Sequence, residues 1–212
     1  MLKVVAFNGS PNKNGNTAGS LNTVLAELDK QGIATETIHV GKKKIRGCIA
    51  CYSCIQNRNE KCVTEDDPVN EWIQKMKEAD GILLGSPVYF SGVAGTMKSF
   101  LDRAFFVSTQ NNGLFRHKVG ASVAAVRRSG GLPVMNSLNH YILYSEMIMP
   151  GSNYWNVVHG SIPGDMEQDD EGKQIMEVLG KNMAWLLKII EKGKKEVPPP
   201  EQVVKTTTNF IR

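Results

Sequence analysis

Apolar positions along this chain follow two different periods, and the two alternate from the start. Residues 4–7 (VVAF), 81–85 (GILLG) and 121–126 (ASVAAV) are continuous apolar runs. Strands apolar on both faces belong to parallel sheets covered by helices. Residues 35–40 (TETIHV) alternate polar and apolar instead, which suits an edge strand. Between these runs the apolar positions recur at helical spacing: Leu21, Val24, Leu25 and Leu28, then Val69, Trp72, Ile73 and Met76. Pro68 stands where the first turn of the second helix tolerates it. Ala94, Met97, Leu101, Ala104 and Phe105 mark a third helix, residues 132–147 a fourth, and Met176, Leu179, Met183, Leu186, Leu187 and Ile190 a long last one. A fifth strand falls in the less regular stretch 150–164. Strands alternating with helices predict right-handed βαβ units in an α/β fold: a doubly wound, five-stranded parallel sheet with helices on both faces.

Composition narrows the class. With 212 residues, 41% of them hydrophobic and 22% charged, the chain fills one core. One domain is expected over residues 1–193, with a cysteine-rich insertion at 45–66. Residues 194–212, which carry a Pro-Pro-Pro run and three threonines, read as a C-terminal tail lying on the surface or across a partner subunit. The net charge of +4 comes from lysines spread among acids, apart from the short runs 42–44 and 192–195, so no nucleic-acid partner is inferred. No apolar run reaches membrane-spanning length and no signal peptide opens the chain, so no membrane is expected and the location is expected to be cytoplasmic. Thiols stay reduced there, which disfavours a disulfide framework and favours a metal site or a redox pair.

All four cysteines fall in one window, Cys48, Cys51, Cys54 and Cys62, spaced C-x2-C-x2-C-x7-C. Three thiolates can converge from one tight loop and a fourth can close a tetrahedral cage around iron or zinc. Free or redox-active thiols remain the third possibility.

In doubly wound sheets, ligands sit outside the carboxyl ends of the strands. After the first strand comes Asn8-Gly-Ser10-Pro-Asn-Lys13-Asn14-Gly15-Asn16-Thr17-Ala18, a loop of small and amide residues opening a helix. Its backbone N–H groups, the positive helix end and the hydroxyls of Ser10 and Thr17 form an anion site shaped for phosphate. The bland alternative is a capped turn without ligand. After the third strand, Pro87-Val88-Tyr89-Phe90-Ser91-Gly92 presents two aromatics where a flat ring system could lie, or where they simply pack the rim. After the fourth, Arg127-Arg128-Ser129-Gly130-Gly131 sets paired arginines near the same edge, to balance an anion or as surface charge.

These segments, with Met97-Lys-Ser-Phe-Leu-Asp-Arg103, resemble the flavodoxin-like NAD(P)H-dependent FMN reductase family over roughly residues 2 to 165, and the cysteine run resembles its iron–sulfur flavoprotein branch. The resemblance implies FMN, its phosphate on Ser10, Lys13, Asn14, Gly15, Asn16, Thr17 and Ala18. Residues Pro87, Val88, Tyr89, Phe90, Ser91 and Gly92 would flank the isoalloxazine, with Arg128, Ser129, Gly130 and Gly131 at its far edge. Cys48, Cys51, Cys54 and Cys62 would hold a [4Fe–4S] cluster, although the seven-residue gap before Cys62 is at the long end of the branch pattern.

The implied activity takes electrons from NAD(P)H or a ferredoxin-like donor through FMN to a second small-molecule or protein acceptor, in a homodimer or homotetramer. No catalytic acid or base is expected, and His39, His117, His140 and His159 belong to no constellation. Tyr154 and Trp155 are family-like aromatics near the flavin or buried packing. Two rivals differ in class. A zinc-stapled binding module would be colourless, and a thiol sensor would keep flavin colour but assemble according to oxidation.

Overall fold

The structure, a computed structural model, describes residues 1–210. Among the described residues six strands occur: β1 Lys3–Asn8, β2 Ala34–His39, β3 Gly81–Tyr89, β4 Gly92–Val93, β5 Val119–Val126 and β6 Val157–His159. Five of them form a parallel sheet in the order β2-β1-β3-β5-β6, and two-residue β4 pairs antiparallel with the end of β3. The expected five-stranded parallel sheet is present, with its switch in strand order between β1 and β3. The expected polar strand is an edge, and the fifth strand lies in the irregular stretch, though it is only three residues long.

Helices cover both faces. On one lie α1, Asn16–Lys30, and α6, Asp170–Gly193, which pack on each other and on Val4, Ala6, Leu83 and Ala121. On the other lie α3, Val69–Glu78, α4, Gly95–Gln110, and α5, Gly131–Tyr144, over Val5, Phe7, Ile82 and Leu84. The apolar runs are explained by this sandwiching: β5 is buried at every position. Leu21, Val24, Ile73, Leu101 and Leu179 are fully buried, each contributing roughly 1.5–3 kcal/mol. Phe7, Trp72 and Phe100 form an aromatic group under β1, with Trp72 edge-on to Phe100 at 5.2 Å.

One helix carried no periodic signal. Short α2, Ser53–Asn57, sits inside the cysteine segment, bounded by left-handed Tyr52 and Arg58. A five-residue helix offers less than two turns of periodicity, so it was not legible. A single-turn 3₁₀ helix, Asp165–Gln168, leads into α6, which is capped by the Asp169 side chain on the Gly172 N–H.

Candidate functional site: three loops at one sheet edge and a cysteine pocket

Parallel register sets the carboxyl ends of the strands at one edge: Asn8 is level with His39 and Gly85, Pro87 with Ala125, and Val126 with His159. The loops that follow therefore meet, and three close approaches hold them together. A Cβ on Gly9 would lie 2.9 Å from the Gly85 carbonyl and 2.8 Å from Met97 of α4. A Cβ on Gly130 would come within 3.0 Å of Val88, and one on Gly160 within 2.5 Å of Asn16. Glycine at Gly41 is equally fixed, because a Cβ there would overlap the Ser10 carbonyl.

The first loop is rigid through its own polar groups. Asn8 Oδ1 accepts from the Ser10 N–H at 3.0 Å, Asn8 Nδ2 donates to the Lys13 carbonyl at 3.1 Å, and Ser10 Oγ accepts from the Asn12 N–H at 3.1 Å. His39 Nε2 donates to the Ser10 carbonyl at 2.8 Å, so this histidine braces the loop from β2. Gly15 is the N-cap of α1 and no side chain caps it. The N–H groups of Asn16, Thr17 and Ala18 therefore lack intrahelical partners, with no acid in the first turn to oppose an anion. Ser10 and Thr17 are nearly buried at the base, while Lys13 and Asn14 are exposed at the rim.

Asn16 is committed elsewhere. Its Nδ2 donates to the Ile162 carbonyl at 3.0 Å, and its Oδ1 accepts from the Gly164 and Met166 N–H groups, both at 3.2 Å. The side chain clasps the loop between β6 and α6, leaving only its backbone N–H for an anion. Nothing in the local sequence gave that clasp, because its partners lie 146 or more residues away.

The second loop is a tight hairpin. Val88 pairs with Val93 and Tyr89 with Gly92, so Phe90 and Ser91 are the two turn residues, at φ +38° and +79°. Both are left-handed, as a two-residue turn of type I′ requires, and neither is a glycine. Ser86 Oγ accepts from the Ala94 N–H at 3.1 Å and pins the hairpin base. Phe90 is 98% exposed and Tyr89 is 60% exposed. The third loop opens α5 with left-handed Gly130, φ +88°, and no side-chain cap. Beyond it, Gly131, Leu132, Tyr154, Trp155, Val157 and Ile175 line an apolar cavity of about 350 Å³. Tyr154 and Trp155 are exposed rings there, not buried packing.

The four cysteines are reduced and line one small pocket with Tyr52, Arg103 and Phe106. Cys54 is buried, Cys62 half-buried, Cys48 and Cys51 exposed. Burial pushes the Cys54 thiol up, and hydrogen bonds from the Ser53 hydroxyl and backbone hold the Cys51 thiol down. Asn70 of α3 grips the Cys62 backbone from both sides, accepting from its N–H at 2.7 Å and donating to its carbonyl at 2.9 Å. Arg103 of α4, 1% exposed, pairs with buried Asp67 and donates to Cys62 Sγ at 3.3 Å. The four thiols line one pocket and in donor chemistry alone suit an iron–sulfur cluster or zinc. Among the described residues, no three His, Cys, Asp or Glu side chains are arranged to hold a metal ion. Arg103, Asn70, Asn8 and Gly41 were not singled out as site residues from the sequence. Asn8 and Arg103 lay in quoted motifs, without a role given to either.

Residues 2–161 match the family model for NADPH-dependent FMN reductase. An iron–sulfur flavoprotein of Methanocaldococcus jannaschii is 38% identical over 200 residues, covering 90% of this chain and all of that one. An iron–sulfur flavoprotein of Methanosarcina thermophila is 28% identical, covering 91% and 99%. Among solved structures, RosB with a bound 8-demethyl-8-formylriboflavin-5′-phosphate intermediate superposes with a TM-score of 0.70 at 14% identity, over 100% of this chain and 94% of RosB, a likeness of fold. An apolar-cored parallel sheet, an uncapped helix opening at its carboxyl edge and a match over most of the chain agree: this protein belongs to the NADPH-dependent FMN reductase family, a family of flavin-dependent oxidoreductases.

Proposed function

We propose that the sheet edge holds FMN and that the protein passes electrons from NAD(P)H or a ferredoxin-like donor through it to a second acceptor, with a [4Fe–4S] cluster on Cys48, Cys51, Cys54 and Cys62. The observation that carries the reading is the uncapped start of α1 behind a loop held open by Asn8, Ser10 and His39. Such a cradle fits a phosphate dianion: three N–H groups point outward, and the Ser10 and Thr17 hydroxyls stand beneath them. FMN, when bound, supplies the redox chemistry, accepting two electrons together and releasing them singly or in pairs.

The residues of the chain bind and orient. Lys13 balances phosphate charge at the rim. The backbone of Pro87–Gly92 and Ser129–Gly131 offers N–H and carbonyl groups to the edge of a planar ring, and Arg128 adds positive charge there. Tyr89 and Phe90 shield that ring from water. The four thiolates, drawn from one loop, would hold a cluster that supplies one-electron transfer. The chain would act as a homodimer or homotetramer in the cytoplasm.

A second reading, a cluster-free NAD(P)H-dependent FMN or quinone reductase, is favoured by the wide setting of the cysteines, two exposed and two inward. One sample separates the two. Anaerobically purified protein is expected to give flavin absorption over a broad brown band, with iron and sulfide near four per chain, roughly as a four-cysteine cubane site requires. Flavin bands without iron would establish the second reading. No flavin band after addition of FMN would overturn both.

A further inference from the structure

Between α4 and α5 lies a groove of about 360 Å³ that shares no residue with the three loops of the sheet edge. Its lining is aromatic, with Phe105 and Phe106 from one helix and Tyr141 and Tyr144 from the other. Among the described residues that line it, Asp102 is the single acid and none is a lysine or arginine. Lys98 and the Tyr141 hydroxyl hold that carboxylate. Tyr144, at the rim, and its neighbour Leu143 are exposed. Bare aromatic side chains gathered around a hollow are the usual form of a docking surface. The C-terminal tail reaches the same rim. Arg116 Nη2 donates to the Pro200 and Glu201 carbonyls at 3.1 and 3.3 Å, and Lys205 Nζ donates to the Tyr144 hydroxyl at 3.0 Å, its charge 4.9 Å from the centre of that ring. Between these two pins Val203 and Val204 are 85% and 90% exposed, and beyond them Phe210 is 90% exposed. Pinned on both sides, the two valines cannot swing into the groove of their own chain. Prolines 198–200 fix φ, so the tail is stiff beforehand and loses little freedom on docking. From residue 202 onward the sequence carries Lys205 and Arg212 and no acid, which complements a groove of aromatic faces with one acid and no lysine or arginine.

We propose that this face is where two copies of the chain meet, the tail of each lying across the α4–α5 groove of the other with Val203, Val204 and Phe210 packed on the groove's four rings. A two-fold contact uses the same patch on both subunits, so the patch must hold both a hollow and the knobs that fill it. Here the two are joined on one face by Lys205 on Tyr144. This rests on the reading that the protein is a homodimer or homotetramer, and it names the surface that makes the contact.

The test is sedimentation velocity of the full-length protein over a dilution series, with flavin content and circular dichroism read on each sample. Wild type is compared with the triple variant Val203→Ser/Val204→Ser/Phe210→Ser and with Thr109→Arg, which sets a bulky charge in the groove. All three tail positions are bare, so the triple variant tests the contact without disturbing the core. Expected is a wild-type oligomer whose dissociation constant rises roughly tenfold or more in each variant, with flavin content and circular dichroism unchanged. A triple variant that assembles as tightly as wild type would overturn the tail exchange and leave the homo-oligomer reading standing, since the copies would then meet elsewhere. Weakening by the triple variant alone, with folded Thr109→Arg as tight as wild type, would seat the tail on another surface and overturn the groove's part. Wild type that stays monomeric throughout the series would overturn the homo-oligomer reading and this proposal together.

Discussion

Thr17 and Asn16 are neighbours with opposite duties, and substitution separates them. Among the described residues the Thr17 hydroxyl has no hydrogen-bond partner, so in the proposed cradle it is spent on phosphate alone. Thr17→Ala is expected to weaken FMN binding roughly ten- to a hundredfold, the worth of a hydrogen bond to a charged group, and to leave the melting temperature unchanged. Asn16→Ala loses three hydrogen bonds to residues 162–166, so it is expected to lower stability by about 1–3 kcal/mol even in FMN-free protein. Calorimetry of the FMN-free variants, paired with FMN titration by fluorescence, measures both. The cysteines differ as sharply. In iron-free protein, iodoacetamide at pH 8 is expected to alkylate exposed Cys51, whose thiol its Ser53 bonds hold low, before buried Cys54, whose thiol burial holds high, with mass spectrometry reading the order. At this scale the sequence was legible where chemistry is local. Ser10, Gly15 and Thr17 could be read from a loop, whereas the Asn16 clasp and the Arg103 contacts join residues far apart in the chain and leave no spacing to read.

The β3–β4 hairpin shows what an element conserves and what it strains. Left-handed φ at Phe90 and Ser91 costs about 1–2 kcal/mol per residue relative to glycine. Ser91→Gly is expected to stabilise the protein by about 1 kcal/mol, raising the melting temperature by roughly 2–4 °C in a chain of this size. A fall in melting temperature would show that the serine supports the turn in some other way. The short hairpin strand was invisible to periodicity because two residues cannot alternate, while residues 81–85 of β3 and 121–126 of β5 could be read since all of them are apolar or small; β3 runs on to Tyr89, through Pro87 and Val88, which the sequence reading placed in a loop. Helix α4 illustrates the same limit from within. Its core stripe was plain, yet the opposite face holds Lys98, Asp102 and, from α5, Tyr141, whose hydroxyl is pushed up to about 12 by burial and by its bond to Asp102. That constellation needs two helices to be seen.

For the whole molecule, acid sensitivity follows from the edge strand. Glu36 on β2 pairs with Lys3 at 2.9 Å and with Lys75 of α3, tying the edge to its neighbour strand and to a helix. The hydrogen bonds from Lys3 and Lys75 hold its carboxyl below the ordinary 4.5. Since the folded value lies below the unfolded one, this stabilisation is complete above about pH 4.5 and is lost as pH falls through the folded value. Glu36→Gln is therefore expected to cost about 1 kcal/mol at pH 7 and nothing at pH 2, by urea unfolding at both. An equal cost at both would place the effect in packing. The layers and the polar edge strand were legible in the sequence, because a buried parallel sheet writes its pattern continuously, whereas the order of the strands came only from the structure. Quaternary structure writes no such pattern, and the rings of Tyr154, Trp155 and Phe90 are bare in the single chain.

The contacts that Asn16 makes also bear on where this protein can be cut. The family match ends at residue 161, and its three partners, Ile162, Gly164 and Met166, all lie just past that point. A fragment trimmed to the matched region would keep the whole glycine-rich loop and still lack the segment that anchors its helix, along with α6, against which α1 packs. A fragment meant to keep that loop and its packing is therefore expected to need the last helix, which ends at Gly193, and the melting temperatures of fragments ending at 161 and 193 would check it.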